Sequence, residues 1–215
     1  MACVISLNVG KPATLVCPDR TVMSGIRKAP VARPVRLTAE GLEGDGQADH
    51  VAHGGPDKAM CAYPTEHLPY WSARLGRALA PAAFGENLST EGLLERELHI
   101  GGVFRLGGTV VQVSQPRGPC FKLAALNGEP HLAQWVQSAG LTGFYFRCLE
   151  PGMLRSGDEF VLIDANERAP TIADAVRVQY TDRDDRATIE RLATCDALAD
   201  AWRSVFAKRL VGLQN

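Results

Sequence analysis

The chain has 215 residues, 46% of them hydrophobic and 22% charged, a composition that indicates a globular protein and excludes an intrinsically disordered one. Its 23 Lys and Arg against 24 Asp and Glu exclude a chain-wide positive field for nucleic acid or an anionic membrane. No run approaches the roughly 20 apolar residues of a membrane span, and the N-terminus lacks the pattern of a signal peptide, so we expect a cytoplasmic protein.

The first three quarters of the chain predict β structure, because short apolar runs recur between Gly and Pro turn signals. Their spacing is typical of a barrel or a sandwich. Strands are predicted at residues 3–9, 34–37, 60–63, 97–100, 103–106, 109–113, 144–149 and 159–163. Two helices are predicted among them, one capped by Thr65 and one within residues 129–140.

After Asp164 the pattern changes to helical spacing, and residues 171–211 contain neither Gly nor Pro. Thr171 is the predicted cap of a first helix, and Asp184 or Asp185 of a second. We therefore predict two domains, with the β domain at residues 1–165 and a three-helix domain at residues 166–215.

The third of these helices is predicted to start at Thr194 or Asp196. Four of its apolar residues are expected to share one buried face: Leu198, Trp202, Val205 and Leu210.

The segment SQPRGPCFKL predicts a turn from a strand into a helix, with Gly118 as the cap and Cys120 in the first turn. Unsatisfied amide groups, the helix dipole and the cations Arg117 and Lys122 would favour a thiolate there. Cys120 therefore has the setting of a reactive or metal-binding sulfur, the alternative being a small buried apolar residue. The other five cysteines lack this setting, and no CxxC pair indicates a zinc ribbon.

A polar loop at residues 41–58 contains five glycines, which allow the backbone to approach a ligand closely. The alternative is a solvated loop with local turn hydrogen bonds. A divalent-metal site is a further alternative, although no helix is predicted that would align its histidines. Its ligands would be Asp45, Asp49, His50 and His53.

A second loop, FGENLSTEGL, places Asn87 beside a carboxylate and two hydroxyls. Asn87 is predicted either to contact a ligand or to stabilise its own turn.

Four motifs, GLEGDGQADHVAHGGPDK, YPTEH, FGENLSTEGL and SQPRGPCFKL, together resemble the MOSC family in its YiiM-like branch. The resemblance covers nearly the whole chain. It implies a mainly β fold, a MOSC-type β-barrel with peripheral helices, followed by a small all-α three-helix C-terminal domain.

The resemblance also implies a molybdenum cofactor, with the metal held by the pterin dithiolene and by one protein thiolate, here Cys120. Members of the branch are associated with reductive removal of the hydroxyl from N-hydroxylated compounds, including base analogues such as 6-hydroxylaminopurine. An oxidoreductase is therefore implied. Since the chain has no flavin motif and no cluster-spaced cysteines, electrons are expected from a separate flavin or iron-sulfur protein.

By the same resemblance, Asn87 matches an asparagine that contacts the cofactor. Relatives of the mitochondrial reductase type have arginines where this chain has Gly85 and Pro119, so the phosphate contacts are expected to differ. The expected substitutes are Lys58, Arg117 and Lys122. Four further residues are expected to contact the pterin or to position groups that do: Asp45, His53, Ser114 and Gln115.

Two other hypotheses follow from the same residues. The chain is alternatively a carrier that binds molybdenum cofactor or a sulfur group without reductase activity.

If the chain is a reductase, His53 or Glu86 is the expected proton source. The helical domain also resembles small nucleic-acid-binding bundles, but RDDRATIER has balanced charge, so no specific nucleic acid and no membrane are expected as partners.

Overall fold

A computed structural model describes residues 1–213, and the side chains of all of these except residues 51 and 52. The strands are β1 Cys3–Val9, β2 Ala13–Val16, β3 Thr21–Ser24, β4 Ala29–Pro30, β5 Val35–Thr38, β6 Gly41–Leu42, β7 Met60–Pro64, β8 Leu88–Glu91, β9 Val103–Leu106, β10 Thr109–Pro116, β11 Phe144–Glu150, β12 Gly152–Leu154 and β13 Phe160–Asp164. The α-helices are α1 His50–His53, α2 Leu68–Leu75, α3 Phe121–Asn127, α4 Leu132–Ala139, α5 Ile172–Tyr180, α6 Arg186–Ala193 and α7 Asp200–Gly212.

The main sheet has eight strands in the order β13-β9-β10-β11-β7-β8-β1-β4. The sheet curls so that its two ends approach each other. At this junction Cys3 of β1 forms an isolated β-bridge with Glu159, which directly precedes β13. The N–H of Val4 donates to the carbonyl of Asp158 at 2.9 Å across this junction. The predicted barrel-like β domain is thus confirmed, because closure of the sheet pairs strand edges that would otherwise be exposed.

Two smaller sheets flank the main one. One consists of β12, β5 and β6, and the other is the isolated hairpin of β2 and β3. The hairpin of β9 and β10 has the predicted tight turn, where Gly107 adopts a φ of 54°.

The C-terminal domain contains the three predicted helices, α5, α6 and α7. Thr171 caps α5 in a capping box with Asp174, and Asp185 caps α6 by accepting from the N–H of Thr188 at 3.1 Å. Apolar side chains of α5, α6 and α7 pack into the same core as the sheet, among them Val176, Ile189 and Phe206. This shared core docks the helices on the barrel. The last two residues of the predicted domain, 214 and 215, lie outside the described residues.

Several local predictions were wrong. Residues 97–100 form turns instead of a strand, and the hydroxyl of Thr65 donates to the carbonyl of Thr90 at 2.9 Å instead of capping a helix. Helix α7 begins at Asp200 without a side-chain cap, not at Thr194 or Asp196. Val205 is exposed, and Phe206 is the residue of α7 that is fully buried.

No helix in residues 1–213 is both long enough and apolar enough to cross a membrane.

Candidate functional site

A cavity with about 640 Å³ of empty space, including solvent at its mouth, opens beside the turn that leads into α3. The cavity is formed by four loop segments and the paired strands β7 and β11. The residues lining it are Ser24, Gly25, Ile26, Lys28, Gly46, Gln47, Ala48, His53, Lys58, Cys61, Gly85, Asn87, Arg117, Gly118, Cys120, Lys122 and Tyr145.

Cys120 lies at the start of α3, two positions earlier in the helix than predicted. It is the N-cap residue, with φ −131° and ψ 173°, and the helix proper begins at Phe121. The prediction that Gly118 is the N-cap is therefore wrong. Because an N-cap residue is still extended, the Cys120 side chain is partly exposed and lines the cavity.

Four cations line the same cavity as Cys120: Lys28, Lys58, Arg117 and Lys122. Three of them were predicted from the motifs, while Lys28 was not. Cations around a thiol stabilise its thiolate form and attract anionic ligands. The cavity is therefore suited to a negatively charged molecule that also accepts a sulfur ligand.

Arg117 is buried in the cavity wall, with only 7% of the residue exposed. One nitrogen, Nη2, donates to the carbonyl of Phe84, whereas Nη1 is buried and has no hydrogen-bond partner within the described part of the chain. Burial disfavours the charged form, but the neighbouring Cys61, Tyr145 and Glu86 outweigh it and raise the pKa of Arg117. The guanidinium therefore stays charged with an unused donor.

Asp45 does not line the cavity but holds two residues that do. Its carboxylate accepts from the Lys28 ammonium at 2.5 Å and from Nδ2 of Asn87 at 2.9 Å, and also from the N–H of Gly10 at 2.8 Å. This places Asp45 behind the cavity wall, where it positions Lys28 and Asn87.

The side-chain amide of Asn87 connects its own loop to β7, to β1 and, through Asp45, to the glycine-rich loop. Its Oδ1 accepts from the N–H of Cys61 at 3.1 Å, while Nδ2 also lies 3.2 Å from the carbonyl of Asn8. The Cys61 thiol lies in the cavity wall, and burial raises its pKa. Asn87 thus fixes the cavity wall, which fits its predicted place at the site.

His53 faces the cavity from α1, a one-turn helix that the sequence analysis did not predict. Burial, followed by repulsion from Lys122, Lys58 and Arg117, lowers the pKa of His53 despite attraction to Asp49. The imidazole is therefore neutral at neutral pH. Burial likewise lowers the pKa of Lys58.

The alternative of a divalent-metal site in this loop gains no support. Within residues 1–213, no three His, Cys, Asp or Glu side chains come together in an arrangement that could hold a metal ion. Asp45, one of the four proposed ligands, is bound to Lys28.

Ser114 and Gln115 do not line the cavity. Ser114 Oγ lies 2.6 Å from the carbonyl of Asp57, whose carboxylate is bound by Arg147 at 2.7 Å. These contacts hold the short helix Pro56–Lys58 and so position Lys58. Gln115 is buried, with Nε2 3.3 Å from the carbonyl of Pro116 and Oε1 without a partner in the part of the chain that the structure describes.

Glu86 is also turned away from the cavity, which contradicts its suggested role as a proton source. Its buried carboxylate accepts from the N–H groups of Ala82 and Phe84 at 2.7 and 3.1 Å and from the Ser89 hydroxyl at 2.6 Å. A carboxylate that accepts three hydrogen bonds from its own loop stabilises that loop.

Gly85 lines the cavity at a position where no larger residue fits. Its φ is 73°, and a Cβ there would lie 2.5 Å from Cγ1 and 2.7 Å from the carbonyl oxygen of Ile26. The loop between β3 and β4 therefore occupies the space that an arginine would need, which explains this departure from the mitochondrial type.

Sequence reasoning missed Lys28, Cys61 and Tyr145 as cavity residues. Cys61 and Tyr145 lie on strands β7 and β11, which pair through Tyr145 and Cys61 themselves. Nothing local in the sequence marks them. Lys28 offered one signal, since it is a cation next to the turn residues Ser24 and Gly25.

Two family models match the chain: the MOSC domain over residues 49–161, and the YiiM-like, 3-alpha helix domain over residues 170–212. Both matches lie inside the predicted domains, whose boundary near residue 165 stays a prediction.

Among curated proteins, the chain is 48% identical to the uncharacterized protein YflK of Bacillus subtilis, over 96% of this chain and 93% of that protein. It is 36% identical to Protein YiiM of Escherichia coli, over 86% and 84%. It is also 31% identical to a protein named "Reductase" from Gibberella moniliformis, over 88% of this chain but only 34% of that longer protein.

Among solved structures, YiiM from Geobacillus stearothermophilus is similar over 98% of this chain and 100% of that chain, with a TM-score of 0.84 and 39% identity. YiiM from Escherichia coli covers 94% of this chain and 92% of that chain, with a TM-score of 0.76 and 32% identity.

Proposed function

Because the chain belongs to the MOSC-domain family, in its YiiM-like branch, we propose that it is a molybdenum-cofactor-dependent reductase of N-hydroxylated compounds. The substrates are small molecules such as 6-hydroxylaminopurine and related base analogues, and Cys120 is the protein ligand to molybdenum. A reductase is also the printed name of one relative, although this chain spans only a third of it. We place the reaction in the cytoplasm.

One observation carries the proposal: a partly exposed thiol at a helix start shares a cavity with four basic side chains. The molybdenum cofactor combines a sulfur-ligated metal with an anionic phosphate. Soft thiolate suits the metal, while the unpaired Nη1 of Arg117 and the ammonium groups of Lys58 and Lys122 suit the phosphate. The donor set thus fits the cofactor.

In this assignment, each side chain has a definite task. Cys120 binds the metal, and Arg117, Lys122 and Lys58 bind the anionic part of the cofactor. Asn87 holds the wall around Cys61, and Asp45 keeps Lys28 beside the cavity. When bound, the cofactor supplies two-electron oxygen-transfer chemistry at its metal.

The reaction consumes two electrons and two protons. The N–O bond of the substrate breaks, an N–H bond forms, and the oxygen leaves as water. His53 is the cavity residue suited to passing protons, because its imidazole is neutral and free to take up a proton from solvent, and its lowered pKa favours release of that proton to the substrate. Electrons come from a separate flavin or iron-sulfur protein.

The test is the metal and pterin content of protein expressed in a host that makes the cofactor. Wild type is compared with Cys120→Ala and with the control Cys148→Ser, which changes a thiol outside the cavity. We expect molybdenum and pterin in wild type and control, and loss of the metal with retained folding in Cys120→Ala. With reduced methyl viologen as electron donor, wild type and control should reduce 6-hydroxylaminopurine, and Cys120→Ala should not.

Two results would contradict the proposal in different ways. Full molybdenum content in Cys120→Ala would remove the assignment of the ligand. Cofactor in the wild type without consumption of any N-hydroxylated compound would favour the alternative, a cofactor or sulfur carrier.

A further inference from the structure

The N-terminal part of the chain is basic although the whole chain is nearly neutral. Residues 1–38 contain six Lys and Arg but one acidic residue, Asp19, whereas the whole chain has 23 Lys and Arg against 24 Asp and Glu. Lys11, Arg20 and Arg27 of this part are exposed. Such a local excess attracts acidic partners in solution.

These three cations belong to residues 11–27, which we call the basic hairpin because strands β2 and β3 form its centre. The two strands pair only with each other among the described strands. Leu15 packs inward and is 1% exposed, whereas Val16 and Met23 on the other face are 71% and 54% exposed. The open face of the basic hairpin therefore carries these two apolar side chains together with Thr14 and Thr21.

The basic hairpin adjoins the cavity. Ser24 and Ile26 line the cavity directly, and the Arg20 guanidinium lies over the ring of Phe121, 4.2 Å from its centre. Phe121 follows Cys120 in the chain and is itself 41% exposed. A protein bound to this face would therefore lie next to the entrance of the proposed cofactor site.

We propose that the basic hairpin is the docking surface for the electron donor, a redox protein with acidic side chains around its exposed cofactor edge. This inference rests on the proposed reductase function. At each turnover the donor is oxidised by two electrons, while the N-hydroxylated substrate takes them up with two protons from solvent and releases water.

Two physical features support this occupant. Opposite charges accelerate encounter between the partners, and the exposed apolar side chains Val16, Met23 and Phe121 offer surface that a bound protein would cover. Small, transient interfaces of this kind are usual between electron-transfer partners.

The test uses reduced flavodoxin, an acidic FMN protein, as the electron donor, and reduced methyl viologen as a donor that needs no docking. The triple variant Lys11→Glu, Arg20→Glu, Arg27→Glu is compared with wild type. The control variant is Arg183→Glu, Arg186→Glu, Lys208→Glu, which makes the same change in net charge at exposed positions of the C-terminal domain.

We expect the hairpin variant to raise KM for flavodoxin about tenfold or more at low salt and to weaken its salt dependence. Turnover with methyl viologen should not change, and the control variant should match wild type with both donors. Unchanged turnover with methyl viologen also shows that the hairpin substitutions leave the cavity folded.

Equal KM values for flavodoxin in wild type and hairpin variant would overturn the docking proposal and leave the reductase function standing. So would hairpin-dependent binding of duplex DNA or anionic vesicles in place of flavodoxin. No turnover with methyl viologen in cofactor-loaded wild type would instead overturn the reductase function. Calorimetric titration of wild type and hairpin variant with flavodoxin would then test the docking surface without relying on turnover.

Discussion

The Asp45 carboxylate holds the Lys28 ammonium at 2.5 Å, with 3% and 6% of the two side chains exposed. The two residues belong to different loops, and their ion pair joins the segment after β3 to the glycine-rich loop. A buried pair is strongly coupled, because removing one partner leaves the other charge without compensation in a poorly solvated site. The pair therefore holds one wall of the cavity in place.

Replacement of one partner should cost more stability than replacement of both. We expect Asp45→Asn to lower the free energy of unfolding by about 3–5 kcal/mol, the usual cost of breaking a buried ion pair. Adding Lys28→Met should recover part of this loss, because it removes the unpaired charge. Urea unfolding of the two single variants and the double variant measures the coupling, and simple additivity would contradict it.

Arg117 should matter more for ligand binding than for folding. Arg117→Met keeps the length of the side chain but removes a buried charge whose Nη1 has no partner in the described structure, at the cost of the hydrogen bond to Phe84. We expect the unfolding free energy of the cofactor-free protein to change by no more than about 1 kcal/mol, since these two effects oppose each other.

Phosphate provides the matching measurement for Arg117. It should raise the Tm of cofactor-free wild type in a concentration-dependent way, and this shift should be largely lost in Arg117→Met. Arg177→Met, on the C-terminal domain, is the control and should keep the shift. An equal phosphate effect in all three proteins would argue against an anion site at Arg117.

His53 should make the protein less stable in mildly acidic solution. Its pKa in the folded state lies below the usual 6.5, so the unfolded chain binds a proton first as the pH falls. Its contribution is therefore fully present above pH 6.5 and is lost as the pH falls from 6.5 through the folded-state pKa. His53→Gln should flatten this pH dependence in thermal unfolding, and proton NMR titration should place the His53 pKa below the usual 6.5.

Bound anionic ligand should reverse this effect on His53. Negative charge in the cavity opposes the influence of Lys122, Lys58 and Arg117, which lower the pKa of His53. The NMR titration in saturating phosphate should thus move the His53 pKa upward, and an unchanged His53 pKa would argue against anion binding in the cavity.

The capping box of α5 should be measurable as a separate contribution to stability. Thr171 and Asp174 exchange side-chain and backbone hydrogen bonds at 3.0 Å. We expect Thr171→Ala to cost about 1 kcal/mol, the usual value for an N-cap threonine. Thr194→Ala should cost less, because the Thr194 hydroxyl donates to the carbonyls of Glu190 and Arg191 within its own helix end and caps no helix start. Denaturant unfolding of both variants gives the comparison.

Much of the fold was readable from the sequence because local chemistry determines it. Alternating and β-branched runs predicted β1, β9 and β10, and Thr171 and Asp185 marked the starts of α5 and α6. The strands β2, β3 and β8 were missed because four residues each are too few for a clear pattern. Strand β8 is stabilised by pairing with the distant strands β1 and β7, and β2 and β3 by pairing with each other.

The thiol at Cys120, the cations of the motifs and the family resemblance could be identified without coordinates, since they depend on residue type and order. The coordinates were needed to show that Lys28, Cys61 and Tyr145 line the cavity, and that Asp45, Ser114 and Glu86 do not. This is because the cavity wall is formed by strand pairing and by loops that lie far apart in the sequence and meet in the fold. Such contacts leave no periodic signal in the chain, and the direction in which a side chain points follows from the backbone around it.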